Sequence, residues 1–299
     1  MSGIKRILVT LGGGAADPSV LAEALRIASA QAAELAAVHV RETFPVEVMM
    51  TADAAAYAIE QIRASEEAAL ARVEALLTPL RSSTTRAVPL YVEQGDFAGA
   101  VANLSTAFDL VVTGQHDPDR SARWTLDAQE RLLMQACAPV YFVPFIARTQ
   151  SIPAAAPPAE AVFRRVLVAW TTAREASVAL RAALPLIADA EAVQIVTYAR
   201  DTALASQRLE RVADYLRSHG IAAEARAIAW REPSIAARLI GADDVDAPVA
   251  ESLLSLAADC AADLLVMGAY GHSRAWEIAV GGVTHTILRS MTLPVLMMH

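Results

Sequence analysis

The segment DLVVTG at residues 109–114 returns as DLLVMG at residues 263–268. Each segment is an aspartate followed by an apolar run and a glycine, which is typical of a parallel strand buried on both faces. Two more pairs share this arrangement: IKRILVT at residues 4–10 with RRVLVA at 164–169, and APVYFV at 138–143 with LPVLMM at 293–298. The offset between the members of a pair stays close to 155 positions, and the prolines Pro139 and Pro294 lie 155 apart. The sequence therefore predicts two copies of one domain in tandem.

A proline-rich stretch separates the two copies. Residues 148–160 read RTQSIPAAAPPAE, and prolines among small residues cannot continue a helix or a central strand. We interpret this stretch as an extended, fairly stiff linker. It divides the chain into a first copy at residues 1–147 and a second copy at residues 161–299.

Within each copy, apolar runs of strand length alternate with stretches of helical periodicity. Such alternation predicts βαβ units with right-handed crossovers, hence an α/β fold with a doubly wound parallel sheet. Asp17-Pro18 and the pair Thr172 and Glu175 are typical helix-start signals. The predicted strands are 4–11, 34–41, 86–93, 109–113 and 139–144, then 164–170, 192–199, 221–229, 263–268 and 294–298. The predicted helices of the first copy are 18–32, 52–80, 97–107 and 125–137.

The composition excludes several classes of protein. The chain has 299 residues and a net charge of −8, so it lacks the basic surface that nucleic-acid binding requires. Its longest apolar runs are too short to span a membrane, and its N-terminus shows no signal-peptide core, so we expect a cytoplasmic protein without a membrane partner. The only cysteines, Cys137 and Cys260, are interpreted as buried reduced thiols.

The most informative loop follows the fourth strand of the second copy and reads GAYGHSRAWEIAVGGVT at residues 268–284. Ligands of open parallel sheets bind beyond the carboxyl ends of the strands, where this loop begins. Gly268 and Gly271 allow unusual backbone conformations and close approach of main-chain N–H groups to an anion. Gly281 and Gly282 precede a predicted helix at residues 283–291, whose N-terminus suits a phosphate group.

This glycine spacing resembles that of the universal stress protein family, in particular its tandem two-domain bacterial members. The similarity covers both copies and is strongest over residues 263–299. It implies an adenine-nucleotide-hydrolase-like fold with strand order 3-2-1-4-5, ATP binding in some members and a role in stress survival. Each copy ends in an apolar strand, and bare strand edges tend to pair. We therefore expect residues 140–143 to pair antiparallel with residues 295–298, which makes the chain an intramolecular pseudo-dimer.

The resemblance also implies a set of nucleotide-binding residues, with two departures from the family pattern. Gly282 stands where the family has a hydroxyl residue, and Trp170 stands where ATP-binding members end strand one with aspartate. Two interpretations of Trp170 are open: its indole stacks on adenine, or it fills the adenine pocket. His272 and Arg274 neutralise phosphates or belong to a solvated loop. The implied set is Trp170, Tyr198, Gly268, Gly271, His272, Ser273, Arg274, Gly281, Gly282, Val283 and Thr284.

The first copy has lost this motif. Leu11 takes the position of Trp170, and Asp117 stands where the second copy has Gly271. Carboxylates there would repel a phosphate, although ordinary surface carboxylates would give the same pattern. The carboxylates concerned are Asp117, Asp119 and Asp127.

Two other features invite rival interpretations. The run Gly12-Gly13-Gly14 is a weak match to a dinucleotide fingerprint or to the phosphate loop of ATP pyrophosphatases, because Asp17 follows where another glycine is needed. The acidic stretch GADDVD at residues 241–246 is read as a solvated loop, with a metal site as the alternative.

We therefore expect a stress-response protein with a regulatory or binding role and at most one weak adenine-nucleotide site, in the second copy. No catalytic triad or metal-ligand spacing can be assembled, so neither catalytic residues nor a metal is predicted. One alternative is a slow ATPase or nucleotide-transferring enzyme, and another is a nucleotide-free module that binds a protein partner. A homodimer of pseudo-dimers is a further expectation.

Overall fold

The structure, a computed structural model, describes residues 3–42, 52–83, 87–116, 124–145, 161–230, 247–271 and 282–299. The first copy contains β1 (Arg6–Thr10), α1 (Asp17–Gln31), β2 (Glu34–Arg41), α2 (Ala52–Ser83), β3 (Leu90–Gln94), α3 (Phe97–Ser105), β4 (Leu110–Gly114), α4 (Leu126–Gln135) and β5 (Val140–Val143). The second copy contains β6 (Arg165–Ala169), α5 (Arg174–Ile187), β7 (Ala192–Ala199), α6 (Thr202–Ser218), β8 (Ala223–Ala229), α7 (Ala247–Asp259), β9 (Leu264–Gly268), α8 (Gly282–Ser290) and β10 (Val295–Met298).

The ten strands of the described residues belong to one sheet with the order β3-β2-β1-β4-β5-β10-β9-β6-β7-β8. Read from its own first strand, each copy has the order 3-2-1-4-5, and its strands are parallel. The predicted α/β fold and strand order are thus confirmed.

The two copies are joined through their last strands. β10 pairs antiparallel with β5, with Val295 opposite Phe142 and Met297 opposite Val140. The side chains of Tyr141, Phe142 and Leu296 are fully buried at this junction. The predicted pseudo-dimer is confirmed, and each copy covers the other's apolar sheet edge.

A hydrophobic layer lies on each face of the sheet, and each layer runs through both copies. One layer contains side chains of α1, α2, α5 and α6, and the other contains side chains of α3, α4, α7 and α8. Neighbouring strand residues alternate between the layers, as Ile7, Leu8 and Val9 show, because successive strand side chains point to opposite faces.

A polar cluster ties α1 to the beginning of the second copy. The Tyr141 hydroxyl donates a hydrogen bond to Glu23 Oε1 (2.5 Å), and Arg26 pairs with the same carboxylate (2.7 Å). Arg26 also donates to the carbonyl oxygen of Val162 (2.5 Å) and lies over the ring of Phe163, 4.8 Å from its centroid. These contacts fix where the second copy begins against the first.

Three local expectations are wrong. Ala16 and Ala173 are the N-cap residues of α1 and α5, and neither helix has a side-chain cap. The Asp17 carboxylate instead accepts hydrogen bonds from Gly12 and Gly13, and the Glu175 carboxylate lies beside Gly271. Cys137 is exposed rather than buried, whereas Cys260 is half-buried.

The predicted linker and the acidic stretch at 241–246 lie outside the described residues. Within the described part of the chain, no helix is long and apolar enough to cross a membrane.

Candidate functional site

A cavity of about 630 Å³ opens at the carboxyl ends of the strands in the second copy. This volume lies within the range of small-molecule sites. Its walls come from the ends of β6, β7 and β8, from α6, from the turn after β9 and from the first turn of α8. The sequence-predicted residues that line it are Trp170, Tyr198, Gly268, Gly271, Gly282, Val283 and Thr284.

One wall of the cavity is aromatic. Trp170 and Trp230 directly follow β6 and β8, and Tyr198 lies near the end of β7 between them. The rings of Tyr198 and Trp230 meet edge to face at 6.2 Å and 88°. Trp170 is half-buried against the core, and its backbone N–H donates to Val196 O (2.7 Å). Trp170 therefore lies at the border of the cavity, a position that fits both interpretations of its indole.

Tyr198 is held in place through its hydroxyl, which donates to Ser252 Oγ (2.8 Å). Burial raises the pKa of Tyr198, against the opposing effect of this hydrogen bond and of the Arg226 charge. The hydroxyl therefore stays protonated at neutral pH, and the ring keeps one orientation on the wall.

The glycines of the loop after β9 are required by close packing. A β-carbon at Gly268 would lie 2.4 Å from the Ala176 nitrogen, and one at Gly271 would lie 2.8 Å from the Ala173 β-carbon. Neither glycine has a left-handed backbone, which instead occurs at Tyr270 between them (φ 52°). The expectation that these glycines provide unusual backbone conformations is therefore wrong. Glycine is needed at both positions for a different reason, since the N-terminus of α5 leaves no room for a side chain.

Another part of the cavity lining is formed by the first turn of α8. Gly282, Val283 and the buried Thr284 lie there, and the free N–H groups of a helix start attract anions. Glu175 lies beside the turn after β9, because a β-carbon at Gly271 would lie 3.1 Å from its Oε2 atom. The charged residues of the described lining are Glu175, Asp201 and Arg208.

Part of the predicted set cannot be placed. His272, Ser273, Arg274 and Gly281 lie outside the described residues. Sequence reasoning missed Trp230, although it directly follows the third strand, the strand-end position that Trp170 takes after the first. Among the described residues, no three side chains of metal-ligating type come together as a metal site.

The corresponding positions of the first copy are filled by its own side chains. In strand register the counterparts of Trp170, Thr197 and Tyr198 are Leu11, His39 and Val40, and all three are buried. His39 Nδ1 donates to the carbonyl oxygen of Leu11 (2.9 Å), and its Nε2 lies 4.0 Å from Glu66 Oε2 on α2.

The glycine run of the first copy is occupied as well. The backbone N–H groups of Gly12 and Gly13 donate to the Asp17 carboxylate at 3.2 and 2.7 Å. Gly13 has φ 78°, and a β-carbon there would lie 2.5 Å from the carbonyl oxygen of Ala69 on α2. This loop holds an internal carboxylate where the rival interpretations place a phosphate.

The helix that corresponds to α8 also carries a carboxylate at its start. Asp127 lies in the first turn of α4 and pairs with Arg131 (3.0 Å). Its carboxylate therefore stands at the helix terminus that would otherwise attract an anion. Asp117 and Asp119 lie outside the described residues.

A family model described as the universal stress protein family matches residues 3–144 and again residues 163–299. The chain belongs to the universal stress protein family. The two matches cover nearly all of it, so the chain is a tandem member with two family domains. None of the curated proteins is similar enough to count as a match.

Solved structures agree on the fold. A universal stress protein from Archaeoglobus fulgidus DSM 4304 is 15% identical, with a TM-score of 0.63 over 98% of this chain and 97% of that one. A functionally unknown protein from Pseudomonas aeruginosa PAO1 is 14% identical, with a TM-score of 0.55 over 99% and 93%. Both comparisons extend over the full tandem arrangement of this universal stress protein.

Proposed function

We propose that this universal stress protein is a stress-response binding protein with one adenine-nucleotide site, in its second copy. Family membership supports the role in stress. The observation that carries the site is the contrast between the copies: the second has an open cavity beside Trp170 and Tyr198, whereas the equivalent residues of the first, Leu11 and Val40, are buried.

The cavity lining offers complementary surfaces for the two parts of a nucleotide. The aromatic wall presents flat apolar faces to a base, and such stacking is worth about 1–3 kcal/mol. The first turn of α8 presents backbone N–H groups to phosphate oxygens. The family resemblance also assigns His272, Ser273, Arg274 and Gly281, which lie outside the described residues, to the phosphate.

Affinity for ATP is expected to be low. Gly282 lacks the hydroxyl that family nucleotide binders place there, and a hydrogen bond to a charged group is worth about 1.5–3 kcal/mol, or roughly ten- to a hundredfold in affinity. The carboxylates of Glu175 and Asp201 add repulsion at the cavity. A weak site fits a protein that responds to high nucleotide concentrations.

Calorimetric titration of ATP into the full chain tests this proposal through two substitutions at one position. Gly282→Ser supplies the missing hydroxyl and should tighten binding about tenfold. Gly282→Asp is the matched variant, since Asp127 occupies the same place in the first copy. An acidic residue suits a helix start, so the fold should persist while phosphate is repelled.

The outcomes separate the three functional hypotheses. Binding that strengthens in Gly282→Ser and disappears in Gly282→Asp supports the proposed site. Turnover of labelled ATP by the wild type would make the protein an enzyme. No binding at millimolar ATP in the wild type and in Gly282→Ser would leave a nucleotide-free partner-binding module. A cytoplasmic location and a further homodimer are part of the same proposal and are checked by fractionation and by mass in solution.

A further inference from the structure

A residue of the first copy reaches the helix that closes the second copy's cavity. Glu130 on α4 accepts a hydrogen bond from His285 Nδ1 on α8 (2.9 Å). The side chains of His285 and Glu130 are 44% and 25% exposed, so the pair is partly shielded from water. His285 directly follows Thr284, which lines the cavity. The contact therefore acts on the first turn of α8.

Glu130 also lies near Tyr270, in the turn that forms the adjacent wall. Tyr270 has a left-handed backbone (φ 52°), a conformation that costs energy for a bulky residue and needs support from its surroundings. Burial and the neighbouring Glu130 carboxylate raise the pKa of Tyr270. Its hydroxyl is buried and makes no hydrogen bond of ordinary geometry within the described ranges. Glu130 therefore lies next to two parts of the cavity lining: the first turn of α8 and the turn that contains Tyr270.

The other end of α8 is also held by the first copy. Gln115 Nε2 donates to the carbonyl oxygens of Leu288 (2.9 Å) and Arg289 (3.1 Å). Its Oε1 atom accepts from the backbone N–H of Phe145, which fixes the amide orientation. Carbonyl groups in the last turn of a helix need such outside partners. First-copy side chains therefore hold α8 at both of its ends.

We propose that the first copy positions the cavity of the second, with Glu130 as the positioning residue for the first turn of α8. The degenerate copy then has a definite role: it fixes the helix N-terminus that faces a ligand. The inference concerns the cavity of the proposed function. It depends on the contacts of Glu130 and Gln115, and not on which ligand enters.

Hydrogen exchange of the ligand-free full chain, followed by mass spectrometry, tests this positioning role. The first four N–H groups of a helix have no helical partner, so peptides containing residues 286–290 report on the stability of α8. Glu130→Ala should speed their exchange about three- to tenfold, which is the range for a partly exposed charged hydrogen bond. Glu130→Gln keeps an acceptor oxygen and should restore most of the protection.

The control changes the same charge on the same helix. Asp127→Asn loses a carboxylate that pairs with Arg131 and should leave exchange in α8 unchanged. His285→Ala should reproduce the effect of Glu130→Ala, and the double variant should add nothing to either, because both remove one contact. If Glu130→Ala fails to fold, His285→Ala alone tests whether this contact stabilises α8.

Two results would overturn the proposal: unchanged α8 exchange in Glu130→Ala, or effects of Glu130→Ala and His285→Ala that add in the double variant. Both are read without ATP. A failed ATP titration therefore removes the nucleotide proposal and leaves this one standing, and the reverse also holds.

Discussion

At the scale of single residues, the two copies use the acidic residue at the start of their first helix in different ways. Asp17 accepts from Gly12 and Gly13, and Glu175 stands beside Gly271. The sequence indicated ordinary helix-start signals at both places. Such signals concern only the backbone N–H groups of the helix itself. The neighbours of the Asp17 and Glu175 carboxylates are instead residues of loops that the tertiary packing brings close.

Asp17→Ala should destabilise the chain by about 1–3 kcal/mol, because it leaves the N–H groups of Gly12 and Gly13 buried without an acceptor. Asp17→Asn retains one acceptor oxygen and should cost less. Urea unfolding of both variants measures the difference. Equal stability of Asp17→Ala and the wild type would show that the carboxylate does not hold this loop.

Trp170→Ala should weaken ATP binding about tenfold, since it removes a stacking face from the cavity wall. Trp170→Phe keeps a flat ring and should retain most of the affinity. Calorimetry on the two variants distinguishes the two interpretations of this residue. Tighter binding in Trp170→Ala would mean that the indole blocks the pocket.

At the scale of helices and strands, the sequence predicted most elements to within a few residues. β2 and β7 begin and end as predicted, because their apolar runs are long. β3 begins four residues later than predicted. As an edge strand it has few fully buried positions, so its apolar pattern is weak. The cluster of Glu23, Arg26 and Tyr141 had no local signal, because its members come from α1 and β5.

That cluster makes stability depend on pH. Burial alone would raise the pKa of Glu23, but the hydrogen bond and charge of Arg26 outweigh it and lower the pKa. A carboxyl group with a lowered folded pKa stabilises the fold above its unfolded pKa, about 4.3. That stability is lost as the pH falls through the folded value.

Glu23→Gln should therefore flatten the acid limb of the stability curve by up to about 1.4 kcal/mol per pH unit. Urea unfolding between about pH 5 and pH 2 measures this limb. Glu67→Gln, which changes an exposed carboxylate on α2, is the control and should leave the limb unchanged. An acid limb in Glu23→Gln as steep as that of the wild type would contradict the role given to this carboxylate.

At the scale of the whole molecule, the ten-stranded sheet followed from the sequence, because both final strands are apolar and each needs a cover. The contacts through which the first copy holds α8 of the second could not be predicted from the sequence. Glu130 and His285 lie 155 positions apart, and their approach is a product of the pairing of β5 with β10. The same holds for the cavity glycines, since only the folded chain shows that α5 leaves no room for a side chain.

Fluorine labelling of tryptophan tests whether the second copy alone binds an adenine nucleotide. Trp170 and Trp230 line the cavity of the second copy, whereas Trp124 stacks on Phe97 in the first copy (4.6 Å). The fourth tryptophan, Trp276, lies outside the described residues and also gives a resonance. The four fluorine NMR resonances, assigned through single Trp→Phe variants, are followed while ATP is added to millimolar concentration. We expect the resonances of Trp170 and Trp230 to shift together while that of Trp124 stays fixed. A shift of Trp124 alone, or no shift of any of the three, would contradict this expectation.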